Sequence, residues 1–380
     1  MKILYENQWL YDESLIASII NNESLHSYFE STFNGDRVKP KNYCGFLSVN
    51  NQSYFIAPKI TTNETQNLNT FIYMLIYAYD IKLKNEDFMQ GETQEHHLLE
   101  IFIRLFADRL LDEFKKGLFK QYITLQENLK VLRGKYVIEK NFNNFYHQNI
   151  YCEFDEFSMD NELNRFFLYA IRFFKKFSSY KNLHRCEAIL DEVTYLNVDF
   201  RRLNIKFDRM NSRYRQSYEV ALMILEKLVP MTQKSEDKSF AFLFDMAVVF
   251  EKFVGKLYQE IDSTTVLQKQ GNYGSLILKP DIYTDSLIID TKYKKIGTRG
   301  DLSVQDKYQM FVYGVNFGIE NTMLLYPKYI EDIDDDLRLG KDDKMVYLKM
   351  KSLDLDFDGG YDEFVCEIKK RLEETLCLKI

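Results

Sequence analysis

Two apolar runs joined by a short polar turn, over residues 276–294, constrain the fold of this chain more than any other segment. The segment reads LILKPDIYTDSLIIDTKYK, which predicts a β-hairpin. With Asp285-Ser286 at the centre of the turn, Asp281 lies directly opposite Asp290 and shares a face with it. Lys292 follows Asp290 by two residues and lies on the same face, because side chains alternate along a strand. The sequence therefore predicts two carboxylates and one ammonium group on one surface.

Both strands of this hairpin are otherwise apolar, with Leu276-Ile277-Leu278 in the first and Leu287-Ile288-Ile289 in the second. Such runs are typical of a buried central strand, where a carboxylate needs a specific reason to be present. The alternative is an exposed hairpin whose acidic and basic side chains form cross-strand ion pairs. The apolar runs favour the first interpretation, a site with a function.

This combination of groups suits the hydrolysis of a phosphodiester. The carboxylates of Asp281 and Asp290 can hold a hard cation such as Mg2+, for which Mn2+ can substitute. A bound metal neutralises developing charge and lowers the pKa of a bound water, and Lys292 can orient that water or stabilise the pentavalent phosphorus. We include Thr291, which stands between Asp290 and Lys292, among the expected metal-contacting residues.

Two flanking segments supply further candidate residues. The apolar spacing along residues 239–261 predicts one helix over the whole segment. Glu251 lies at the edge of the apolar stripe of this helix. Glu251 is either a third metal ligand or part of the solvated boundary of the helix. After the hairpin, Gln309 and Tyr313 are spaced i, i+4 on one face of a predicted helix. These two side chains could contact a phosphate backbone or orient the carboxylates.

The patterns along the chain predict a mixed α/β protein of several segments. Residues 1–65 are β-rich, residues 66–235 are mainly helical, and residues 336–380 form a strand-helix extension. Residues 236–335 carry the hairpin, and their order of helix, strand, strand, helix, strand predicts a small α/β sandwich.

Residues 200–215, FRRLNIKFDRMNSRYR, form the most basic stretch of an acidic protein. Their basic side chains could line a phosphate-contacting surface. A solvated, charge-balanced surface is the commoner explanation of such a stretch, and both interpretations stay open.

The composition limits the classes of protein to which the chain can belong. An apolar content of 46% across 380 residues supports substantial packed cores. A net charge of −7 gives no overall positive field for nucleic acid, so a protein of this kind that acts on DNA needs a local basic groove or a partner that delivers the DNA.

Neither the cysteines nor the apolar runs indicate a zinc site or a membrane segment. The five cysteines have no CxxC spacing, and the pair His96-His97 is more typical of a solvated helix start than of a metal site. The longest apolar runs are too short to span a bilayer. We therefore expect a cytoplasmic protein.

The PD…DxK arrangement, followed by a Q-x-x-x-Y helix, resembles the restriction-endonuclease-like nuclease fold. Over most of residues 5–330 the chain is similar to the McrC family, the nuclease subunits of McrBC-type modification-dependent restriction systems. Besides the nuclease motif, the matching segments are Gly45, Ile56-Ala57-Pro58-Lys59-Ile60, Leu132-Arg133-Gly134-Lys135, Asp160-Asn161-Glu162-Leu163-Asn164-Arg165, Phe250-Glu251-Lys252 and Asp306-Lys307-Tyr308-Gln309-Met310.

The resemblance implies a Mg2+-dependent DNA endonuclease with a C-terminal PD-(D/E)xK nuclease domain. Asp281 and Asp290 would be its metal ligands, and Lys292 its catalytic lysine. The implied partner is a hexameric, McrB-like AAA+ GTPase that reads methylated cytosine in double-stranded DNA. Residues 1–65 would dock on this partner and stimulate its GTP hydrolysis. No GxxxxGK[ST] stretch occurs in the chain, so GTP binding through a P-loop is not expected.

Two other functions are compatible with the sequence. One is a stand-alone RecB-like exonuclease, which the Q-x-x-x-Y spacing permits but which does not need the roughly 230 residues before the nuclease domain. The other is a non-catalytic adapter that docks on the GTPase and activates it. The three motif residues argue against the adapter, because an adapter need not keep them.

Overall fold

The fold is described from a computed structural model in which the residues form two compact units. The first unit combines residues 1–93 with residues 227–380, and the second consists of residues 94–226. The described residues are 2–49, 52–60, 64–81, 98–145, 148–197, 199–230, 239–296, 298–328, 332–341 and 344–376. They confirm the predicted mixed α/β class. The finer division into four segments stays a prediction.

The elements follow one another along the chain as follows. The first unit begins with β1 (Lys2–Tyr5), α1 (Glu13–Ile20), β2 (Phe29–Ser31), β3 (Val38–Pro40), β4 (Tyr43–Val49), β5 (Gln52–Ala57) and α2 (Glu64–Ala78). The second unit contains α3 (Leu98–Lys115), β6 (Gln121–Leu129), β7 (Lys135–Tyr136), α4 (Ile138–Phe142), β8 (Ile150–Ser158), α5 (Glu162–Phe174), α6 (Lys181–Ile189) and α7 (Arg215–Lys227). The first unit then continues with β9 (Leu228–Pro230), β10 (Phe240–Asp245), α8 (Met246–Ile261), β11 (Val266–Leu267), β12 (Gly271–Tyr273), β13 (Leu276–Leu278), β14 (Ile282–Tyr283), β15 (Ile288–Thr291), α9 (Val304–Phe317), β16 (Asn321–Pro327), β17 (Asp334–Leu339), β18 (Val346–Leu353) and α10 (Tyr361–Thr375).

One sheet of the first unit joins N-terminal strands to strands that come after the second unit. Its order is β1-β5-β4-β10-β9, and β4 and β5 form an antiparallel hairpin. The antiparallel pairing of β4 with β10 depends on Gly45, whose φ is +140°. A Cβ at this position would lie 2.1 Å from the carbonyl oxygen of Phe242, so a side chain cannot be accommodated without moving β10.

The prediction of one helix over 239–261 is wrong at its beginning. Residues Phe240–Asp245 form β10, and α8 begins only at Met246. A short apolar run that is buried on both faces has no periodicity that separates a strand from a helix. The change of structure occurs at Asp245, whose side chain accepts a hydrogen bond of 2.9 Å from the backbone N–H of Ala247 and so caps α8.

The second sheet of this unit carries the predicted hairpin. Its order is β11-β14-β15-β16-β18-β17, with parallel pairing of β15 with β16 and of β16 with β18. Tyr283 pairs with Ile288, which confirms the predicted register of the turn. Ile288 lies in a buried core with Met310 of α9 and Leu324 of β16. The carboxyl end of β15, an inner strand, is therefore fixed from several sides.

The apolar run before Pro280 does not belong to this sheet, contrary to prediction. Leu276–Leu278 form β13, which pairs only with β12 in a separate two-stranded ribbon. Ile277 is 70% exposed. Proline has no N–H for a strand ladder, so the pairing is interrupted before Asp281. Only the second apolar run forms the buried central strand.

The second unit has a three-stranded antiparallel sheet in the order β6-β8-β7 and a helical core rich in aromatic rings. Phe106 of α3 packs against Phe167 and Phe174 of α5. Both helices lie within residues 66–235, the part of the chain that the sequence predicts to be mainly helical. The pair His96-His97 lies outside the described residues. Within the described ranges, no helix is long and apolar enough to cross a membrane.

The basic stretch 200–215 lies in the second unit as an irregular segment that leads into α7. Its basic side chains are exposed. Two of them have partners in the same unit, because Arg202 forms an ion pair of 3.2 Å with Asp199 and Arg213 donates to the carbonyl oxygen of Gly117. Contact of this stretch with a phosphate backbone stays a prediction.

Candidate metal and catalytic site

The carboxyl end of β15 brings together the three residues of the predicted motif. Asp290 is on β15 and is 3% exposed, whereas Asp281 lies immediately before β14, the hairpin partner of β15. Lys292 follows β15, and its backbone N–H donates a hydrogen bond of 2.9 Å to the carbonyl oxygen of Leu325 in β16. The sheet therefore holds the backbone on both sides of Asp290.

Three hydrogen bonds fix the carboxylate of Asp281. Oδ2 accepts from the backbone N–H and from the hydroxyl of Thr291, each at 2.7 Å. Oδ1 accepts from the side-chain amide of Gln268 at 3.1 Å. Thr291, a predicted metal-contacting residue, thus orients Asp281 in this structure, and its contact with a metal stays a prediction.

The carboxylate of Asp290 lies in a network with Lys292 and α9. Nζ of Lys292 is 2.6 Å from Oδ2 of Asp290 and donates to Oε1 of Gln309 at 2.9 Å. The amide of Gln309 donates to Oδ1 of Asp290 at 3.3 Å and to the hydroxyl of Tyr313 at 2.9 Å. The Tyr313 hydroxyl donates in turn to the carbonyl oxygen of Lys279 at 3.2 Å. The predicted i, i+4 pair of α9 therefore faces the motif.

Glu251 of α8 approaches the same site through an intermediary. The amide of Gln268 donates to Oε1 of Glu251 as well as to Asp281. Burial, and then the carboxylates of Asp281 and Asp290, raises the pKa of Glu251 to about 7. The side chain of Glu251 thus belongs to the hydrogen-bond network of the site, and whether it binds a metal stays a prediction.

The negative charge of the site exceeds what its lysine neutralises. Burial, and then the nearby carboxylate of Asp281, raises the pKa of Asp290 above its ordinary value, although Lys292 opposes this shift. Burial alone would lower the pKa of Lys292, but the attraction of Asp290 and Asp306 outweighs it, so the pKa of Lys292 is raised. A positive ligand would offset the repulsion between the carboxylates.

The donor set fits a hard divalent cation bound by two carboxylates. Among the residues that the structure describes, no group of three or more histidine, cysteine, aspartate or glutamate side chains is arranged to hold a metal ion. Mg2+ does not require such a group, because it keeps several waters and is commonly bound through one or two carboxylates and the phosphates of a substrate. Asp281 and Asp290 are the two residues that fit this role.

The sequence does not predict three residues near the motif as members of the site: Gln268, Lys294 and Asp306. Gln268 bridges Glu251 and Asp281, but a glutamine after a short strand carries no pattern that indicates this. Lys294 and Asp306 form an ion pair beside Lys292. Strand alternation could have identified Lys294, since it follows Lys292 by two residues.

Comparisons with known proteins agree with one another. The family model described as "McrBC 5-methylcytosine restriction system component" matches residues 38–327. A structure described as a refined half-complex of Thermococcus gammatolerans McrB AAA+ hexamers with bound McrC contains a chain that is 21% identical, with a TM-score of 0.67 and coverage of 99% of both chains. The McrBC complex of the same organism, solved by cryo-EM, contains a chain that is 24% identical, with a TM-score of 0.50 and coverage of 68% of this chain and 86% of that chain. These two likenesses show a shared fold. No curated protein matches the chain.

Proposed function

Since the chain belongs to the family of McrBC 5-methylcytosine restriction system components, we propose that it is a McrC-type subunit that hydrolyses DNA phosphodiesters with Mg2+. The observation that carries this proposal is the joint placement of Asp281, Asp290 and Lys292 at the end of one inner strand, with Gln309 holding the lysine. Mn2+ is expected to substitute for Mg2+, because carboxylate oxygens suit both ions.

Each residue of the site has a distinct part in the proposed reaction. Asp281 and Asp290 would hold the cation, which when bound supplies charge neutralisation and a more acidic water. The ammonium group of Lys292 would stabilise negative charge on the scissile phosphate or orient the attacking water. Gln309 restrains that ammonium group through its side-chain oxygen, and Tyr313 restrains Gln309.

We further propose that the chain works with a hexameric, McrB-like AAA+ GTPase and stimulates its GTP hydrolysis. One of the similar structures contains McrB AAA+ hexamers with bound McrC. The sequence contains no P-loop motif of its own, and its net charge of −7 gives no overall attraction for DNA. A partner that reads methylated cytosine and delivers double-stranded DNA would supply both the GTP hydrolysis and the attraction for DNA.

Plasmid cleavage with matched variants tests this function. Methylated and unmethylated plasmids are incubated with Mg2+ and the wild type, Asp290→Ala or Asp285→Ala, with and without the partner and GTP. Asp285 is an exposed aspartate of the same hairpin and serves as the control. We expect cleavage only of methylated DNA, only with partner and GTP, and only by the wild type and Asp285→Ala.

The other results identify the alternative functions. Cleavage by the chain alone would indicate a nuclease that acts without a GTPase partner. Stimulated GTP hydrolysis without cleavage in any condition would indicate a non-catalytic adapter. Equal cleavage by Asp290→Ala and the wild type would refute the assignment of the site.

A further inference from the structure

Gln268 has a backbone conformation that glutamine rarely adopts. It follows β11 and has a φ of +53°, in the left-handed region. Side chains with a Cβ are disfavoured there, and such conformations persist in folded proteins where the surroundings hold them. Its backbone N–H donates a hydrogen bond of 2.9 Å to the carbonyl oxygen of Asp281, which is one contact that holds this conformation.

The side chain of Gln268 contacts two carboxylates that belong to different elements. Its amide nitrogen donates to Oε1 of Glu251, on α8, and to Oδ1 of Asp281, beside β14, the latter at 3.1 Å. Neither carboxylate has a basic side chain as a hydrogen-bond partner in the described part of the chain. An uncharged donor thus lies where two carboxyl groups converge.

This arrangement is suited to the placement of ligands before a cation arrives. Two carboxylates repel each other unless a donor or a cation lies between them. An amide provides such a donor without adding positive charge, so it does not compete with a cation as an ammonium group would. Each carboxylate oxygen can accept more than one bond, which leaves lone pairs for a metal while the amide stays in place.

We propose that Gln268 is a positioning residue for the divalent cation, which holds Glu251 and Asp281 in the geometry that the cation requires. This inference rests on the proposed function of the site. It also gives Glu251 a role as part of the cation environment, coupled to Asp281 through one amide group. Gln268 itself is not required to touch the substrate or the reacting atoms.

Direct measurement of metal binding tests the proposal. Mg2+ and Mn2+ are titrated by calorimetry into the wild type, Gln268→Leu and Gln270→Leu. Gln270 is the matched control, because it is exposed and its amide donates only to Asn272 among the described residues. Residues that orient metal ligands typically change metal affinity about 10–100-fold when replaced, so we expect the dissociation constant of Gln268→Leu to rise at least about tenfold. Gln270→Leu should bind as the wild type does.

A second readout separates positioning from a merely structural role. In the cleavage assay, the Mg2+ concentration for half-maximal rate should rise with Gln268→Leu, while the rate at saturating Mg2+ recovers to near that of the wild type. The variant Gln268→Gly relaxes the backbone but lacks the amide group. We expect it to bind Mg2+ as weakly as Gln268→Leu. Wild-type affinity in Gln268→Gly would show that the amide is dispensable and would overturn the proposal.

The experiment distinguishes this inference from the function on which it rests. If Asp290→Ala loses Mg2+ binding while Gln268→Leu binds like the wild type, the role of Gln268 is refuted and the metal site stands. If the wild type binds no Mg2+, or if Asp290→Ala binds it equally well, the proposed function itself is refuted. If Gln268→Leu melts earlier without metal but has unchanged affinity, Gln268 is structural only.

Discussion

The two carboxylates of the motif differ in what surrounds them. Asp281 accepts three hydrogen bonds from uncharged donors, whereas Asp290 lies 2.6 Å from the ammonium group of Lys292. A cation at Asp290 must therefore share a carboxylate that already has a positive partner. A cation at Asp281 would not have to share the carboxylate with an ammonium group. In the proposed reaction, Lys292 would therefore have two opposed effects, since it would assist hydrolysis and compete with the metal for Asp290.

Replacement of Lys292 by methionine should separate these two effects. We expect Lys292→Met to bind Mg2+ at least as tightly as the wild type, because the competing ammonium group is gone. Cleavage should fall about 100-fold or more, the usual loss when one group that stabilises transition-state charge is removed. Calorimetry and cleavage rates at saturating Mg2+ measure the two quantities. Lys307→Met, on α9, is the control, and weaker Mg2+ binding by Lys292→Met would contradict the argument.

Asp160, in one of the segments that resemble the McrC family, has a structural role. Arg165 donates two hydrogen bonds to its carboxylate, at 2.6 and 2.8 Å, and Thr194 donates two more. The hydrogen bonds from Arg165, followed by those from Thr194, lower the pKa of Asp160 to about 2. Because the pKa is lower in the folded state, this stabilisation is present above the unfolded value near pH 4 and is lost as the pH falls through about 2.

We therefore expect Asp160→Asn to destabilise the protein in a pH-dependent way. At pH 7 the free energy of unfolding should fall by about 1–2 kcal/mol, after allowance for solvent screening. The difference from the wild type should shrink as the pH is lowered below about 4. Urea unfolding at several pH values measures both effects, with the exposed Asp191→Asn as control. A difference that is constant with pH would indicate that the carboxylate charge is not involved.

At the scale of residues, sequence alone predicts what depends on local periodicity. Asp290 and Lys292 were placed on one face because alternation along a strand requires only their spacing. Gln268 was not predictable in this way, because it contacts Asp281 across 13 positions of the chain from a left-handed conformation. No local pattern specifies that conformation for a residue other than glycine.

At the scale of elements, one failure of prediction comes from burial on both faces, and the other, at Leu276–Leu278, from the proline that follows the strand. The run that forms β10 is apolar at every position from Phe240 to Phe244, so it lacks the alternation of a half-buried strand. Its partner β4 lies almost 200 positions earlier in the chain, and no local signal reveals that pairing. The β14–β15 hairpin was predictable because its turn and its register are local.

A buried polar cluster connects the N-terminal sheet to the strand that carries Asp290. Glu6, just after β1, accepts hydrogen bonds from the hydroxyl of Tyr293 at 2.6 Å and from the backbone N–H of Lys59 at 2.8 Å. Burial raises the pKa of Glu6, against the opposing effect of these donors. Tyr293 directly follows Lys292, so this cluster anchors the backbone next to the motif.

Removal of the Tyr293 hydroxyl should weaken this connection. We expect Tyr293→Phe to lower the free energy of unfolding by about 1.5–3 kcal/mol, the range for hydrogen bonds to charged groups. Urea denaturation at pH 7 measures the change, and Tyr11→Phe, at a 71% exposed tyrosine, is the control. If both variants unfold like the wild type, the hydrogen bond from Tyr293 to Glu6 does not contribute to stability. Contacts other than this hydrogen bond would then anchor the motif to the N-terminal sheet.

At the scale of the whole molecule, one group of elements in the second unit exposes several large apolar side chains. The three-stranded sheet of the second unit and its connections carry exposed side chains at Tyr122, Val131, Leu132, Tyr136, Ile138, Phe142, Phe145 and Phe157. Exposed apolar surface of this kind is typical of a site for another protein. Together with the net charge of −7, it supports the proposal that a protein partner delivers the DNA.

Two surfaces are therefore candidates for the docking of the proposed GTPase partner. The family resemblance indicates residues 1–65, where Phe33 is fully exposed. The exposed aromatic side chains favour the sheet of the second unit and its connections, where Phe142 and Phe145 are at least 90% exposed.

We expect the double variant Phe142→Ser/Phe145→Ser to abolish complex formation and GTPase stimulation, because buried aromatic side chains dominate the affinity of protein interfaces. Phe33→Ser is the matched comparison and should retain both. Analytical ultracentrifugation with the partner and GTP turnover measure the outcome, while Mg2+ titration verifies that the nuclease site is intact in each variant. The opposite pattern, with loss in Phe33→Ser alone, would return the docking site to the N-terminal region.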